Sequence, residues 1–199
     1  MENMDIIIPG LFPIVLGSIV YLLLGFVPML IITGAAIGGF ILYLKTGFRA
    51  HFDTSQVIFP YLLTIMLFIV HVYEEYLFGF EHVINQLNGK NVITQMQYLT
   101  LAGFIGPFMW VGGAYLILKQ WDIGYYFLAF FFVAMTIAEL THFIFPFIIY
   151  GHWRYTAGVV TAALPLIPAW YGLGITIRET RKIRGSKTQK ITISTPSVA

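Results

Sequence analysis

Residues 57–78 read VIFPYLLTIMLFIVHVYEEYLF, and this stretch decides the fold class. Its first fourteen residues carry no charged side chain, whereas its last eight include His71, Glu74 and Glu75. A helix needs about 20 apolar residues to cross the hydrocarbon core of a bilayer. The stretch therefore predicts a transmembrane helix that carries ionisable groups near its C-terminal end.

The composition of the whole chain agrees with a membrane protein. Of its 199 residues, 58% are hydrophobic and only 10% are charged, and the mean hydropathy is +0.82. About a quarter of the residues in a soluble domain are charged, so a water-soluble enzyme and a disordered chain are excluded. The formal net charge of +2 gives no reason to expect nucleic acid as a partner. Because the chain has no cysteine, disulfides and thiolate metal sites are excluded too.

Apolar segments long enough to span a bilayer recur along the chain. Four clear ones lie at about 57–78, 98–118, 123–150 and 156–177. A further run, from Ile6 to Leu44, is too long for one span and short for two. Gly25 and Pro28 would mark a hairpin within it, and a single kinked helix is the other option. We predict an all-α fold, a polytopic transmembrane helix bundle, with five spans favoured over six.

The chain is expected to form one domain with a tail. Residues 1–185 are predicted to be a single transmembrane helical domain, and residues 186–199 a polar, basic C-terminal tail. Six of the eleven Lys and Arg residues lie between positions 178 and 190. Cytoplasmic segments carry the excess of such residues, which places the C-terminus in the cytoplasm.

The remaining positive charges support this orientation. Each predicted span changes the side of the membrane, and counting back from the C-terminus assigns three more residues to the cytoplasmic side: Lys45, Arg49 and Lys119. Nine of the eleven basic residues then share one side. If the first apolar run spans only once, Met1–Asp5 lies on the opposite side.

Ionisable residues are concentrated inside two of the predicted spans, which contain His71, Glu74, Glu75, Glu139 and His142. Each charged group in hydrocarbon costs roughly 3 kcal/mol on insertion scales, so such residues indicate function. Glu75 lies about 40° from His71 around its helix, at about 100° per residue. Glu139 and His142 are one turn apart on theirs. All five fall in the non-cytoplasmic half of the bundle, so we expect the two helices to bring them together.

Three kinds of site are compatible with such a cluster. A single histidine in a transmembrane helix usually makes an interhelical hydrogen bond, and a purely structural polar network is the simplest interpretation. Helix bundles also build metal centres from Glu-x-x-His elements, and Glu139 and His142 have that spacing. A metal-free acid–base or proton-handling site is the third interpretation.

The metal hypothesis assigns a role to each residue. The expected ligands are His71, Glu75, Glu139 and His142. Glu74 and Glu75 are the expected catalytic carboxylates, with Glu74 as a ligand or general base. The cofactor would be a divalent metal ion (zinc, iron or manganese), present as one ion or two, since only nitrogen and oxygen ligands are offered. The same membrane surface carries three supporting candidates: His82, His152 and Tyr155.

Two motifs resemble a known family. Residues 71–75, His-Val-Tyr-Glu-Glu, resemble the signature of the HXXEE family of integral membrane proteins, whose function is not established. Residues 155–162, YTAGVVTA, are similar to that family's Tyr-Ser-Pro-Gly-Leu-Val-Thr-Ala segment. The resemblance implies four family residues: His71, Glu74, Glu75 and His142. The chain departs from the family's Asn-x-x-x-His motif, because Ala138 stands in place of the asparagine, with Glu139 beside it.

These features favour a membrane-embedded, metal-dependent enzyme that acts on a lipid or other hydrophobic substrate. Hydrolysis, transfer or isomerisation is favoured over di-iron-type oxidation, because electron donors are generally cytoplasmic and the site faces the other side. Two alternatives use the same residues: a carrier for protons or divalent cations, and a metal-free acid–base lipid isomerase. The expected partners are the lipid bilayer and the substrate. The sequence does not indicate an oligomeric state.

Overall fold

The computed structural model describes residues 4–48 and 50–194, with side chains described up to residue 185. It is all-helical over these residues, as predicted. The long helices are α1 (Met4–Leu24), α2 (Phe26–Lys45), α3 (Ser55–Leu77), α6 (Gly106–Leu118), α7 (Asp122–His142) and α9 (Ala163–Ser194). The short ones are α4 (Phe80–Leu87), α5 (Gln95–Tyr98) and α8 (Phe145–Tyr150). A π-helical segment, Leu99–Ile105, joins α5 to α6.

Five helical segments of the described chain are long and apolar enough to cross a membrane. They are Met4–Leu24, Phe26–Lys45, Ser55–Leu77, Gln95–Leu118 and Asp122–Tyr150. The last three match the predicted spans at 57–78, 98–118 and 123–150. An integral membrane protein built as a helix bundle is the fold class that these segments support.

The first apolar run forms two helices, not one, and the break falls at Gly25. This glycine has a φ of 87°, a left-handed value that ends a helix and that glycine tolerates best. The side chain of Asn88 occupies the turn: its Oδ1 accepts from the Phe26 N–H at 2.8 Å, and its Nδ2 donates to the Leu24 carbonyl at 3.1 Å. Together α1 and α2 form an antiparallel hairpin.

The hairpin also corrects the expectation for the N-terminal end. The Tyr43 hydroxyl, near the end of α2, donates a hydrogen bond to the Asp5 carbonyl at 3.0 Å. The start of α1 therefore lies at the same end of the bundle as Lys45. The premise of a single first span is wrong, and with it the placement of the N-terminus opposite Lys45. Met1–Asn3 and Arg49 lie outside the described residues.

The last predicted span, 156–177, begins later than expected. Residues 157–162 form turns, and helix α9 begins at Ala163. A helix through this stretch is prevented by Gly158, whose φ is 87°. Since only a short apolar stretch of α9 precedes Arg178, this helix is not among the five candidate spans. The backbone of α9 continues to Ser194, and the division at residues 185 and 186 stays a prediction.

Helix α7 lies at the centre of the bundle and packs against α2, α6 and α9. Its middle is aromatic and surrounded by its neighbours, since the consecutive residues Phe130, Phe131 and Phe132 point in different directions and are all fully buried. Helix α2 approaches closely through Gly39, where an added Cβ would lie only 2.4 Å from the Cα of Phe130. Small residues thus let two backbones meet, as in other membrane helix pairs.

Candidate metal centre

The predicted site residues come from the C-terminal ends of α3 and α7. Helix α3 supplies His71, Glu74 and Glu75 in its last two turns, and α7 supplies Glu139 and His142 in its last turn. All five side chains are buried, and His71 and Glu139 are each only 1% exposed. Because both helices end at this level, the expected convergence of the two groups is present in the fold.

Four of these side chains form one cluster. Nε2 of His71 lies 3.0 Å from Oε2 of Glu139 and 3.5 Å from Oε1 of Glu75. The same Glu75 oxygen lies 3.3 Å from Nε2 of His142. The two imidazole rings meet edge to face, with their centroids 4.7 Å apart. We call His71, Glu75, Glu139 and His142 the His/Glu cluster.

Three members of the His/Glu cluster have the spacing of a metal-binding group. One ligand atom each from His71, Glu75 and His142 lies within 4.8 Å of the others, and all three residues are buried. Glu139 lies next to this group and contacts its member His71. Its Oε2 atom is buried and has no aligned hydrogen-bond partner within the described part of the chain, despite its closeness to His71. The cluster therefore offers nitrogen and oxygen ligands and a further carboxylate oxygen that is not saturated.

Tyr98 is a member of the site that sequence reasoning missed. It is the last residue of α5, is 5% exposed, and donates a short hydrogen bond from its hydroxyl to Oε2 of Glu75. The other oxygen of Glu75 is thereby left for the two histidines. No spacing in the sequence relates Tyr98 to residues 71–75, so no local signal could have revealed this contact.

Glu74 faces away from the His/Glu cluster. Its Oε2 accepts hydrogen bonds from the Thr161 N–H, at 2.9 Å, and from the Thr161 hydroxyl. Its Oε1 accepts from the Tyr155 hydroxyl at 2.8 Å. Burial, together with this hydrogen bond to Glu74, raises the pKa of Tyr155 to about 12, so Tyr155 stays a donor at neutral pH. Adjacent helix residues point about 100° apart, which separates Glu74 from Glu75.

The loop formed by residues 155–162 closes the site from the side of α9. Gly158 lies against it so tightly that an added Cβ would be 2.7 Å from Cε1 of His142 and 2.8 Å from Cγ of Glu75. Nδ1 of His142 lies beside the backbone of Ala157 without a hydrogen bond of ordinary geometry. Thr161 contacts His71 directly, at 3.0 Å between Oγ1 and Nδ1. In the sequence, the only signal that marked Gly158 and Thr161 was their position in the second family motif.

The remaining candidates lie apart from the His/Glu cluster. The side chain of His82 is 77% exposed, and its Nε2 is 3.4 Å from Oε1 of Glu81. His152 is exposed, and its ring contacts Tyr150. Among the described residues, neither histidine contacts the cluster. Tyr155 is linked to the cluster through Glu74 and Thr161.

A cavity of about 320 Å³ opens directly beside the His/Glu cluster. All four cluster residues and Tyr98 lie on its wall, and Glu74 does not. The other lining residues are almost all apolar and come mainly from α1, α2, the π-helical segment and α7. No lysine or arginine lines the cavity in the part of the chain that the structure describes. The cluster is thus the polar end of an apolar chamber.

Comparison with known proteins supports the resemblance seen in the two motifs. No curated protein and no solved structure matches the chain. A family model described as "Protein of unknown function with HXXEE motif" matches residues 62–171. This match is 110 residues long, more than half of the 199, and includes every residue of the His/Glu cluster and the loop 155–162. The chain belongs to the HXXEE family.

Proposed function

We propose that the protein is a membrane-embedded, metal-dependent enzyme that acts on a lipid or another hydrophobic substrate. One observation carries the proposal: the buried ligand atoms of His71, Glu75 and His142 lie within 4.8 Å of one another on the wall of an apolar cavity. A ligand set and a place for an apolar substrate thus occur together.

The charges of the site favour a bound cation. Glu75 and Glu139 place two carboxylates in apolar surroundings, where an unpaired charge is strongly unfavourable. No lysine or arginine lines the described part of the cavity to balance them. One divalent ion would compensate both charges. Imidazole and carboxylate ligands suit zinc, iron and manganese.

The cavity favours a hydrophobic substrate that enters from the bilayer. Ile19 and Leu23 of α1 line it and are about half exposed on the outside of the bundle, as is Ile105 of the π-helical segment. Helix α1 packs mainly against α2, whereas the π-helical segment packs against α3. Within the described residues, these two elements share no extended interface. A lateral opening between them would admit an acyl chain without exposing it to water.

The chemistry follows from the same arrangement. A divalent metal here would polarise a substrate oxygen or make a bound water acidic enough to ionise near neutral pH. Glu139 is placed to exchange a proton with the substrate, because its side chain lines the cavity and its Oε2 lies 3.0 Å from Nε2 of His71. Hydrolysis, group transfer and isomerisation can all use these elements and need no electron donor.

Metal analysis of the purified protein tests the proposal. We expect stoichiometric zinc, iron or manganese in the wild type, and its loss in His71→Ala and His142→Ala. His82→Ala and His152→Ala are matched controls, which remove histidines outside the cluster and should retain the metal. A metal-free wild type contradicts the proposal. Proton-coupled flux in liposomes would then indicate a carrier, and conversion of a lipid without metal would indicate an acid–base isomerase.

We further propose that the C-terminus is cytoplasmic and that the cluster lies in the non-cytoplasmic half. The hydrogen bond of the Thr180 hydroxyl to the Thr46 carbonyl, at 3.3 Å, supports this orientation, since it brings the basic end of α9 to the Lys45 end of the bundle, and cytoplasmic segments carry the excess of basic residues. Because the chain has no cysteine, single-cysteine labelling is clean. Lys90→Cys should react with a membrane-impermeant maleimide from outside, and Lys119→Cys only after permeabilisation. The reverse pattern would invert the topology.

A further inference from the structure

A chain of hydrogen bonds lies behind His71, on the side away from the cavity. Nδ1 of His71 is 3.0 Å from Oγ1 of Thr161, and the Thr161 hydroxyl contacts Oε2 of Glu74. Glu74 also accepts from the Thr161 N–H and from Tyr155. The chain runs from the buried histidine to Tyr155, which is 45% exposed.

The donors and acceptors of this chain determine where the proton on His71 sits. An ionised carboxylate only accepts hydrogen bonds, so the single hydroxyl hydrogen of Thr161 is directed to Glu74. The Thr161 oxygen must then accept in its contact with His71, which makes Nδ1 the protonated nitrogen. Nε2, the nitrogen that faces Glu75 and Glu139, is left with its lone pair directed at the cluster.

We infer that Glu74 and Thr161 are positioning residues that hold His71 with Nδ1 protonated and Nε2 presented as a metal ligand. The inference rests on the proposed metal-dependent function. Histidines that bind metals usually donate their other ring N–H to a carboxylate or carbonyl, which fixes the ring and makes the ligand nitrogen more basic. Here the carboxylate acts through one hydroxyl.

This assignment gives the two adjacent glutamates of the motif separate tasks. Glu75 lies on the cavity side of His71 and contacts both histidines of the cluster. Glu74 lies on the opposite side and supports the ring through Thr161. The pair of carboxylates therefore acts from both sides of one imidazole, which neither could do alone.

A set of threonine and glutamate variants tests the inference. Thr161→Val removes the hydroxyl and keeps the shape, Thr161→Ser restores the hydroxyl, and Glu74→Gln keeps an acceptor oxygen without the charge. Thr176→Val is the matched control, because Thr176 is also buried but donates only within α9, to the Gly172 carbonyl. Each variant is measured by zinc affinity and by nitrogen-15 NMR of labelled histidine, which detects the proton on Nδ1 of His71.

We expect a slowly exchanging Nδ1 proton on His71 in the wild type, in Thr161→Ser, in Glu74→Gln and in Thr176→Val. Thr161→Val should lose this signal. Zinc affinity should fall by roughly 10- to 100-fold in Thr161→Val, as for other residues that support a metal ligand. Glu74→Gln should lower the affinity as well, because the negative charge behind the ring is gone.

The two readouts separate the inference from the proposed function. If the wild type binds no zinc, iron or manganese but shows the Nδ1 proton, and Thr161→Val loses it, the metal proposal fails while the orientation of His71 stands. If the wild type binds zinc and Thr161→Val changes neither the signal nor the affinity, the inference is overturned. If Thr161→Val does not fold, two other results overturn the inference. One is a wild type in which Nδ1 of His71 carries no proton, and the other is a zinc affinity that is unchanged in Glu74→Gln.

Discussion

The cavity has two walls of opposite character. One is built by the ends of α3 and α7, carries the His/Glu cluster, and is supported from behind by hydrogen bonds to the loop 155–162. The other is the α1–α2 hairpin, whose lining residues, such as Val20 and Ile31, are apolar. The family match at residues 62–171 includes the first wall and leaves out the hairpin. The residues for chemistry therefore lie within the matched region, whereas the hairpin that completes the chamber lies outside it.

The walls also differ in how they are held. Directional hydrogen bonds fix the polar wall, so small errors in position would break it. The hairpin is held by close backbone packing at Gly39 and by Asn88 at its turn. Substitutions in the first wall should change metal binding, and those in the second should change stability or substrate fit.

The largest effect is expected from Gly158→Ala. The φ of 87° strains any side chain there, and the new Cβ would collide with His142 and Glu75. We therefore expect loss of bound metal. The free energy of unfolding should fall by more than the ~1–2 kcal/mol that left-handed strain alone costs. Metal content and thermal unfolding in detergent are the measurements. Gly151→Ala is the control, because its φ of 72° is similar but the space around it is open. Equal behaviour of the two variants would show that the loop does not press on the cluster.

Gly39→Ala should be the next most damaging change. The added Cβ would lie 2.4 Å from the Phe130 backbone, so α2 must move away from α7, at a cost of about 1–3 kcal/mol. Metal content of the folded fraction should not change. Gly34→Ala, on the same helix with open space at its Cβ, should leave stability unchanged or higher. Metal loss in folded Gly39→Ala would contradict the separation of the walls.

Val20→Trp should fill the chamber from its apolar wall. Val20 is 7% exposed and lines the cavity, so we expect binding of a fluorescent fatty acid in detergent to fall by about tenfold, which is about 1.4 kcal/mol. Metal content should stay as in the wild type. Val15→Trp, on the exposed face of α1, is the control and should bind normally. If Val20→Trp binds the fatty acid as well as the wild type does, the acyl chain binds somewhere other than this cavity.

The smallest effect is expected from Tyr155→Phe. It removes one hydrogen bond to Glu74 at a half-exposed position, so unfolding free energy should fall by no more than ~1 kcal/mol. Because folding raises the pKa of Tyr155 from 10.0 to about 12, this stabilisation is complete below pH 10 and is lost as the pH rises towards 12. Chemical denaturation at neutral pH and above pH 10 should show the difference narrowing. A difference that grows with pH would contradict the assigned donor.

Much of the fold could be predicted because transmembrane helices follow from local composition. The spans at 57–78, 98–118 and 123–150 are recovered within a few residues. The convergence of His71 and Glu75 with Glu139 and His142 was also predictable. Helix geometry gives the face of the helix on which each pair lies, and the apolar segments give the depth of each pair in the membrane. The start of α9 was not, because Gly158 and the hydrogen bonds of Thr161 to Glu74 override an apolar stretch that would otherwise read as helix.

The sequence by itself determined the helices, their apolar character and the depth of the ionisable residues, since each depends on neighbours along one helix. Only the tertiary structure decided that Tyr98 donates to Glu75, that Glu74 turns to Thr161, and that the hairpin closes a cavity over the cluster. The two hydrogen bonds join residues 23 and 87 positions apart. Local periodicity carries no information about them, because they arise when separate helices and a loop pack together.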